Sequence, residues 1–256
     1  MKIRNLVSPK IISFLFLSVF ALPVVAKEET NYQMYLMSQN HFSLAAMDKY
    51  KSDIKKAIVI LKAKKFDRQY SASQVSGGGI YWFTPIKDYG DIDTLDQQWD
   101  SVWEQLSDEE QAVFNGLGVG VKSGREMVIK YDGDLSYEIK DMKGYLYFEG
   151  STYQFKHGKS EQVKAVAKQI RDRYEASQAK QPYRFFWHEL GGDIRTFTVV
   201  SYGKNKMHFA KTDAHDDKMF EKDVSMSAIW QEAMQLVDVV DSFQGKMLTD
   251  LRYSLK

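Results

Sequence analysis

Between residues 42 and 61 apolar side chains recur every three or four positions. Phe42, Ala46, Tyr50, Ile54, Ile58 and Leu61 fall on one side, while Lys49, Lys51, Asp53, Lys55 and Lys56 take the other. That period predicts an amphipathic helix. Ahead of it, the aromatic run Asn31 to Met37 reads as a strand. Behind it, Arg68 to Val75 and Gly79 to Ile86 read as a hairpin turned by the glycines from Gly77, with Pro85 near a strand end where it costs no central hydrogen bond. Ile92, Leu95, Trp99, Val102, Trp103 and Leu106 share a further helical face, and Ser107 with Glu110 forms a capping box that starts another helix. Gly116, Gly120 and Gly124 stand four apart and predict that this helix continues with one smooth stripe, although glycine costs roughly 1 kcal/mol per interior helical position. A nucleotide-binding glycine loop needs a preceding strand, and here a capping box precedes it.

The second half repeats this order. Tyr145 to Phe155 reads as a strand, and a helix carrying Val163, Val166, Ile170 and Tyr174 follows. The strands Tyr183 to Leu190 and Ile194 to Tyr202 come next, then a polar connection Gly203 to Asp223, a long helix from Ser225 to Phe243, and an extended close from Lys246 to Leu255. Shifting the chain by 116 residues lays His41 on His157, Ile54 on Ile170, Arg68 on Arg184, Lys130 on Lys246, and the segment Asp134 to Tyr137 on Asp250 to Tyr253. Each unit is strand, helix, hairpin, helix, strand, the split βαβ order of ferredoxin-like folds. Such a unit leaves one sheet face bare, and two of them cover it by packing sheet to sheet. The expected fold class is α+β: two tandem ferredoxin-like (βαββαβ) units packed sheet to sheet as an intramolecular α+β barrel. The aromatic strand residues Tyr81, Trp82, Phe83, Phe185, Phe186 and Trp187 are expected to line its interior.

Together with the Lys156-His157-Gly158-Lys159 entry to a helix and the Asp-Leu-x-Tyr exits, this element order resembles the dimeric α+β barrel superfamily, with its NIPSNAP, EthD and antibiotic-monooxygenase types. The resemblance spans the chain after its leader and implies a fold, not one reaction. Superfamily members include cofactor-free oxygenases, isomerase-like enzymes, haem proteins and domains without an assigned role.

The N-terminus adds an address. Lys2, Arg4 and Lys10 precede an apolar run from Ile11 to Ala21, and Pro23 and Val24-Val25-Ala26 complete the pattern of a signal peptide cleaved after Ala26. The run is too short to span a bilayer as a helix. The expected organisation is a signal peptide over 1–26 and ferredoxin-like units over 27–140 and 141–256, with a periplasmic or secreted product. Without the three leader cations, 32 basic residues face 34 acids, a balance that gives no electrostatic case for nucleic acid or an anionic membrane as partner. The absence of cysteine excludes disulfide staples, thiol nucleophiles and covalent haem attachment.

Candidate chemistry is sparse. His41 and His157 follow the first strand of each unit, where a histidine can act as base or ligand. Arg68 and Arg184 open the second strands and can hold a carboxylate. Trp82, Trp187, His188, Glu189, Tyr137 and Tyr253 complete the candidate ligand-binding set, with alternation placing His188 opposite Trp187 and Glu189. The aspartates around His215 lack metal-ligand spacing, so no metal site is expected. No cofactor is predicted; haem is compatible with the resemblance, but no residue in the sequence designates a ligand. The expected partner is a small, partly apolar molecule in or at the mouth of the barrel. The alternatives are a cofactor-free or haem-assisted, monooxygenase-like oxidoreductase and a protein-interaction module without a cavity.

Overall fold

The computed structural model describes residues 32–254; the leader expected over 1–26 lies outside the described residues. The first unit comprises β1 (Tyr32–Phe42), α1 (Leu44–Ala63), β2 (Ser71–Val75), β3 (Gly79–Ile86), α2 (Gly90–Glu104), α3 (Asp108–Leu117) and β4 (Val121–Tyr137). The second comprises β5 (Tyr147–Phe155), α4 (Ser160–Ala176), β6 (Tyr183–His188), β7 (Thr196–Gly203), α5 (Lys206–Phe220), α6 (Val224–Leu236) and β8 (Val237–Met247), followed by a 3-10 turn at Thr249–Leu251. The strands close an antiparallel barrel in the order β1-β3-β2-β8-β5-β7-β6-β4. Each unit contributes four neighbouring strands, and the seams are β2 with β8 and β4 with β6. This is the duplicated ferredoxin-like barrel that the element order predicts.

Two layers of core follow from strand alternation. Inside the barrel, Tyr35, Met37, Tyr81, Phe83, Met127, Ile129 and Phe186 pack together, and Val75, Phe148, Val200, Tyr202 and Phe243 continue the filling. Outside, the apolar stripe of α1 (Met47, Tyr50, Ile54, Ile58, Leu61) covers Ala72, Ile80 and Trp82 of the first sheet. In the second unit α4 and α6 cover Phe185, Phe197 and Trp187. The barrel interior therefore takes only half of the aromatic set expected there: Trp82, Phe185 and Trp187 point outward to the helices.

The glycine stripe is helical only at Gly116. The capping box at Ser107 starts α3 as expected, but the helix ends at Leu117 and β4 begins at Val121. Gly120 makes the turn with φ +88°, and a Cβ there would lie 2.5 Å from that of Ala46, so only glycine fits. The equivalent change occurs in the second unit, where the helix expected to reach Phe243 stops at Leu236. The β-branched Val237, Val239 and Val240 belong to β8, paired along β5. The closing strand thus ends at Met247, earlier than the 246–255 segment expected. The polar connection over 203–223 is largely α5, capped by Asn205 and anchored by buried Phe209, Asp216 and Phe220. Its counterpart is α2: Gly90 and Lys206, Asp108 and Val224, and Val121 and Val237 each stand 116 residues apart. The register slips at the first strand and at the hairpin: Phe42 pairs with Val121 as Phe155 pairs with Val237, so Phe42 corresponds to Phe155 and His41 is not the counterpart of His157. At the hairpin Tyr70 bridges Tyr253 as Tyr183 pairs with Tyr137, so Tyr70 corresponds to Tyr183, and Arg68 is not the counterpart of Arg184.

Candidate ligand-binding site

The larger cavity lies outside the barrel, between the second sheet and its helices, with a volume of about 400 Å³. Its floor is the outward row of the sheet: Tyr153, Tyr183, Phe185, Phe197 and Val199. Its roof is Val163, Val166, Ala167 and Ile170 of α4 with Trp230, Ala233 and Met234 of α6. Phe185 and Phe197 stack with centroids 4.6 Å apart at 12°, and Tyr153 extends the stack at 5.2 Å. Trp230 and Met234, 39% and 47% exposed, mark where the cavity opens to solvent.

The 116-residue register explains why the second unit has room and the first does not. Val166 occupies the place of Tyr50, and Ala233 that of Leu117. Tyr50 is 6% exposed in the first core, accepts the indole N–H of Trp82 at 3.0 Å, and packs at a tilt against Phe42. Replacing a tyrosine and a leucine by a valine and an alanine removes packed volume that the remaining side chains do not refill.

Polar groups around the cavity are few. Ser151 and Ser242 share a hydroxyl contact at 3.0 Å, and Glu149 accepts the Tyr147 hydroxyl at 2.6 Å. Burial and that carboxylate push the Tyr147 phenol up to about 12. Burial also raises the phenols of Tyr174 and Tyr183, which keeps both protonated. Glu149 is the one charged residue in the lining, and no histidine, lysine or arginine belongs to it.

The residues singled out from sequence lie elsewhere. His41 closes the inward row of β1, edge-on to Tyr81 at 5.9 Å, whereas His157 is exposed in the turn before α4, so the two histidines do not form one site. Arg68 precedes β2 instead of opening it, and its guanidinium donates to both oxygens of Asp91 at 2.8 and 2.6 Å. Arg184 faces the barrel interior, donates from Nε to Glu138 at 2.6 Å, and lies over the rings of Tyr131 and Tyr202. His188, four residues along the same inward row, contacts Thr198 Oγ1 at 2.8 Å, and Thr198 in turn contacts Thr152. Burial, reinforced by Arg125, lowers the His188 imidazole to about 4, so it is neutral at ordinary pH. Trp82 and Trp187 donate to Tyr50 and Asp132, and Glu189 accepts from Tyr89. Tyr137 and Tyr253 donate to the carbonyls of Ala179 and Phe66 at 2.8 and 2.7 Å. None of these residues lines the larger cavity. Tyr253 borders a second one of about 340 Å³ at the barrel end, with Gln33, Tyr35, Phe83 and Met247.

No protein-family model and no curated protein matches this sequence. Solved structures do match in shape. A protein called anthrone oxidase-like superposes over 84% of this chain and 91% of its own, with 12% identity and a TM-score of 0.53. A protein provisionally named a monooxygenase, from Lactobacillus acidophilus, covers 87% and 96% at 9% identity, with a TM-score of 0.51. The fold is that of the dimeric α+β barrels. At such identity the likeness extends to architecture alone. A heme-binding protein from Thermus thermophilus aligns over 87% of this chain and 95% of its own, at 10% identity and a TM-score of 0.44, too low to bear on this chain.

Haem, which the superfamily admits, can be tested against the residues present. Haem iron takes His, Cys, Met or Tyr. Of the chain's five histidines none borders either cavity. In the larger one the available donors are half-exposed Met234 and tyrosines, of which Tyr174 and Tyr183 resist ionisation. The one charged side chain in the lining, Glu149, would repel the propionates. The lining does not fit haem.

Proposed function

We propose that this is an exported, periplasmic or secreted protein that binds a small, largely apolar molecule between the second sheet and its helices, as a carrier or sensor without chemistry of its own. The observation that carries the reading is the aromatic-walled cavity of about 400 Å³, within the range of small-molecule sites, in a unit whose duplicate has the same space filled. The lack of histidine, lysine and arginine in the lining favours binding over the oxidoreductase alternative. The leader pattern supports export, and a chain retained in the cytoplasm with residues 1–26 still attached would count against it.

The test transplants the first unit's residues. A Val166→Tyr, Ala233→Leu variant places in the second unit the side chains that fill the first. Wild type is expected to bind the neutral fluorescent probe N-phenyl-1-naphthylamine one-to-one, with a dissociation constant on the order of micromolar. The filled variant should bind at least roughly tenfold more weakly and melt no lower, since it removes unpacked space. Equal binding by both proteins, or no binding by wild type, sinks the proposal.

A further inference from the structure

Tyr183 forms part of the cavity wall and is 6% exposed, yet its hydroxyl has no hydrogen-bond partner among the described residues. That sets it apart from the phenols of Tyr137 and Tyr253, which end on backbone carbonyls, and from that of Tyr50, which accepts an indole N–H. Tyr174 packs edge-on at 5.1 Å and Tyr137 lies at 6.5 Å between centroids, but neither hydroxyl bonds to that of Tyr183. A buried donor without a partner forgoes its water hydrogen bond and gains nothing in return, so such a group in a cavity wall asks for an acceptor from outside the chain. Phe185, Phe197 and Tyr153 stack on one another, so the rest of this wall is apolar. No cation lines the cavity to hold an anion.

We infer that Tyr183 is the specificity-determining residue of this site, donating its O–H to a neutral acceptor oxygen, of carbonyl type, on an otherwise apolar ligand. The inference rests on the cavity being a ligand site. The hydroxyl is shut off from water, with less than 1 Å² accessible, so an acceptor reaches it only when the side chains around it move.

Fluorene and 9-fluorenone share one planar tricycle and differ by a carbonyl, so their affinities isolate the acceptor. The ratio of fluorenone to fluorene affinity, measured by displacement of the naphthylamine probe, is expected to be about fivefold to tenfold higher in wild type than in Tyr183→Phe. Fluorene itself should bind both proteins alike, and Tyr183→Phe should melt no lower than wild type because it removes an unpartnered oxygen. The same ratio in both proteins overturns the role of Tyr183 while leaving the cavity reading intact. Fluorene that fails to bind wild type, or binds the Val166→Tyr, Ala233→Leu variant equally well, overturns the cavity reading instead. The carbonyl stretch of fluorenone bound to wild type gives an independent measure. A shift to lower frequency relative to apolar solvent is expected, and an unshifted band refutes the hydrogen bond.

Discussion

Arg68 invites a functional reading from sequence, and its surroundings make it a staple whose contribution can be worked out. Its guanidinium meets both Asp91 oxygens at 2.8 and 2.6 Å and donates from Nε to Gln98 at 2.6 Å, and the Lys87 amide adds a further bond to the carboxylate. The two side chains are 14% and 10% exposed, so solvent screens the pair weakly. The guanidinium hydrogen bonds hold the Asp91 carboxyl down to about 2, against an ordinary 3.8. The difference corresponds to about 2 kcal/mol of stability. Because the folded value is the lower one, that stability is complete above the ordinary carboxylate range and disappears as pH falls from about 5 towards 2. Arg68→Met leaves a buried carboxylate without its counter-charge and should cost about 3 kcal/mol at pH 7. Urea unfolding of both proteins at pH 7, 5, 3.5 and 2.5 tests this. The gap between them should narrow by about 2 kcal/mol across the series as Asp91 takes up its proton. A gap that stays constant with pH, or one below about 1 kcal/mol at pH 7, would refute the reasoning and return Arg68 to the candidate ligand contacts.

Other expectations follow from the same geometry. Gly245 sits where β8 meets β2, and a Cβ there would lie 2.3 Å from Gln74 O and 2.4 Å from Phe148 Cζ. Gly245→Ala should cost about 1–3 kcal/mol by prising that seam, and an unchanged urea midpoint would show the seam to be slack. Tyr137→Phe and Tyr253→Phe should each cost about 1 kcal/mol and leave probe binding untouched; lost binding would make these hydroxyls part of the site. Burial lowers the His188 imidazole to about 4, below its unfolded value near 6.5, so its contribution is complete above 6.5 and is lost as pH falls towards 4. Wild type should lose on the order of 3 kcal/mol more than His188→Asn across that interval by urea titration, and parallel curves would place a charged imidazole in the barrel.

Local chemistry with a mechanism read correctly from the sequence. The capping box at Ser107 is present, and the α1 stripe packs as its period predicts. What failed was the choice between two elements where both were locally plausible. Gly116, Gly120 and Gly124 satisfy a helical stripe, but the chain turns at Gly120 with φ +88° and then pairs with β1 as a strand. Val237 to Val240 continue a helical period while also being β-branched, and pairing with β5 decides for the strand. The site was harder still, because a cavity is a deficit of volume and no residue announces it. A signal did exist in the 116-residue register. Comparing side-chain sizes there, Tyr50 against Val166 and Leu117 against Ala233, points to space in the second unit.

The repeated Asp-Leu-x-Tyr segments show how the two units become one structure. Each segment ends its own unit but serves the other one. Leu135 of the first unit is buried in the core of the second, beside Val163 and Phe185, and lines the cavity. Leu251 of the second is buried in the core of the first, beside Phe42 and Tyr50. The tyrosines follow the leucines: Tyr137 is bonded to the loop after α4, and Tyr253 to the loop after α1. The exchange is reciprocal, as expected of two copies related by an approximate twofold axis, and it puts a conspicuous motif to purely structural use. It also makes the cavity a joint product. Its floor and roof come from the second unit, but Leu135 closes one side, so the site forms only when the first unit's last strand is docked. A fused pair can therefore let one copy keep a filled core that fixes the barrel while the other relinquishes packing and leaves a cavity.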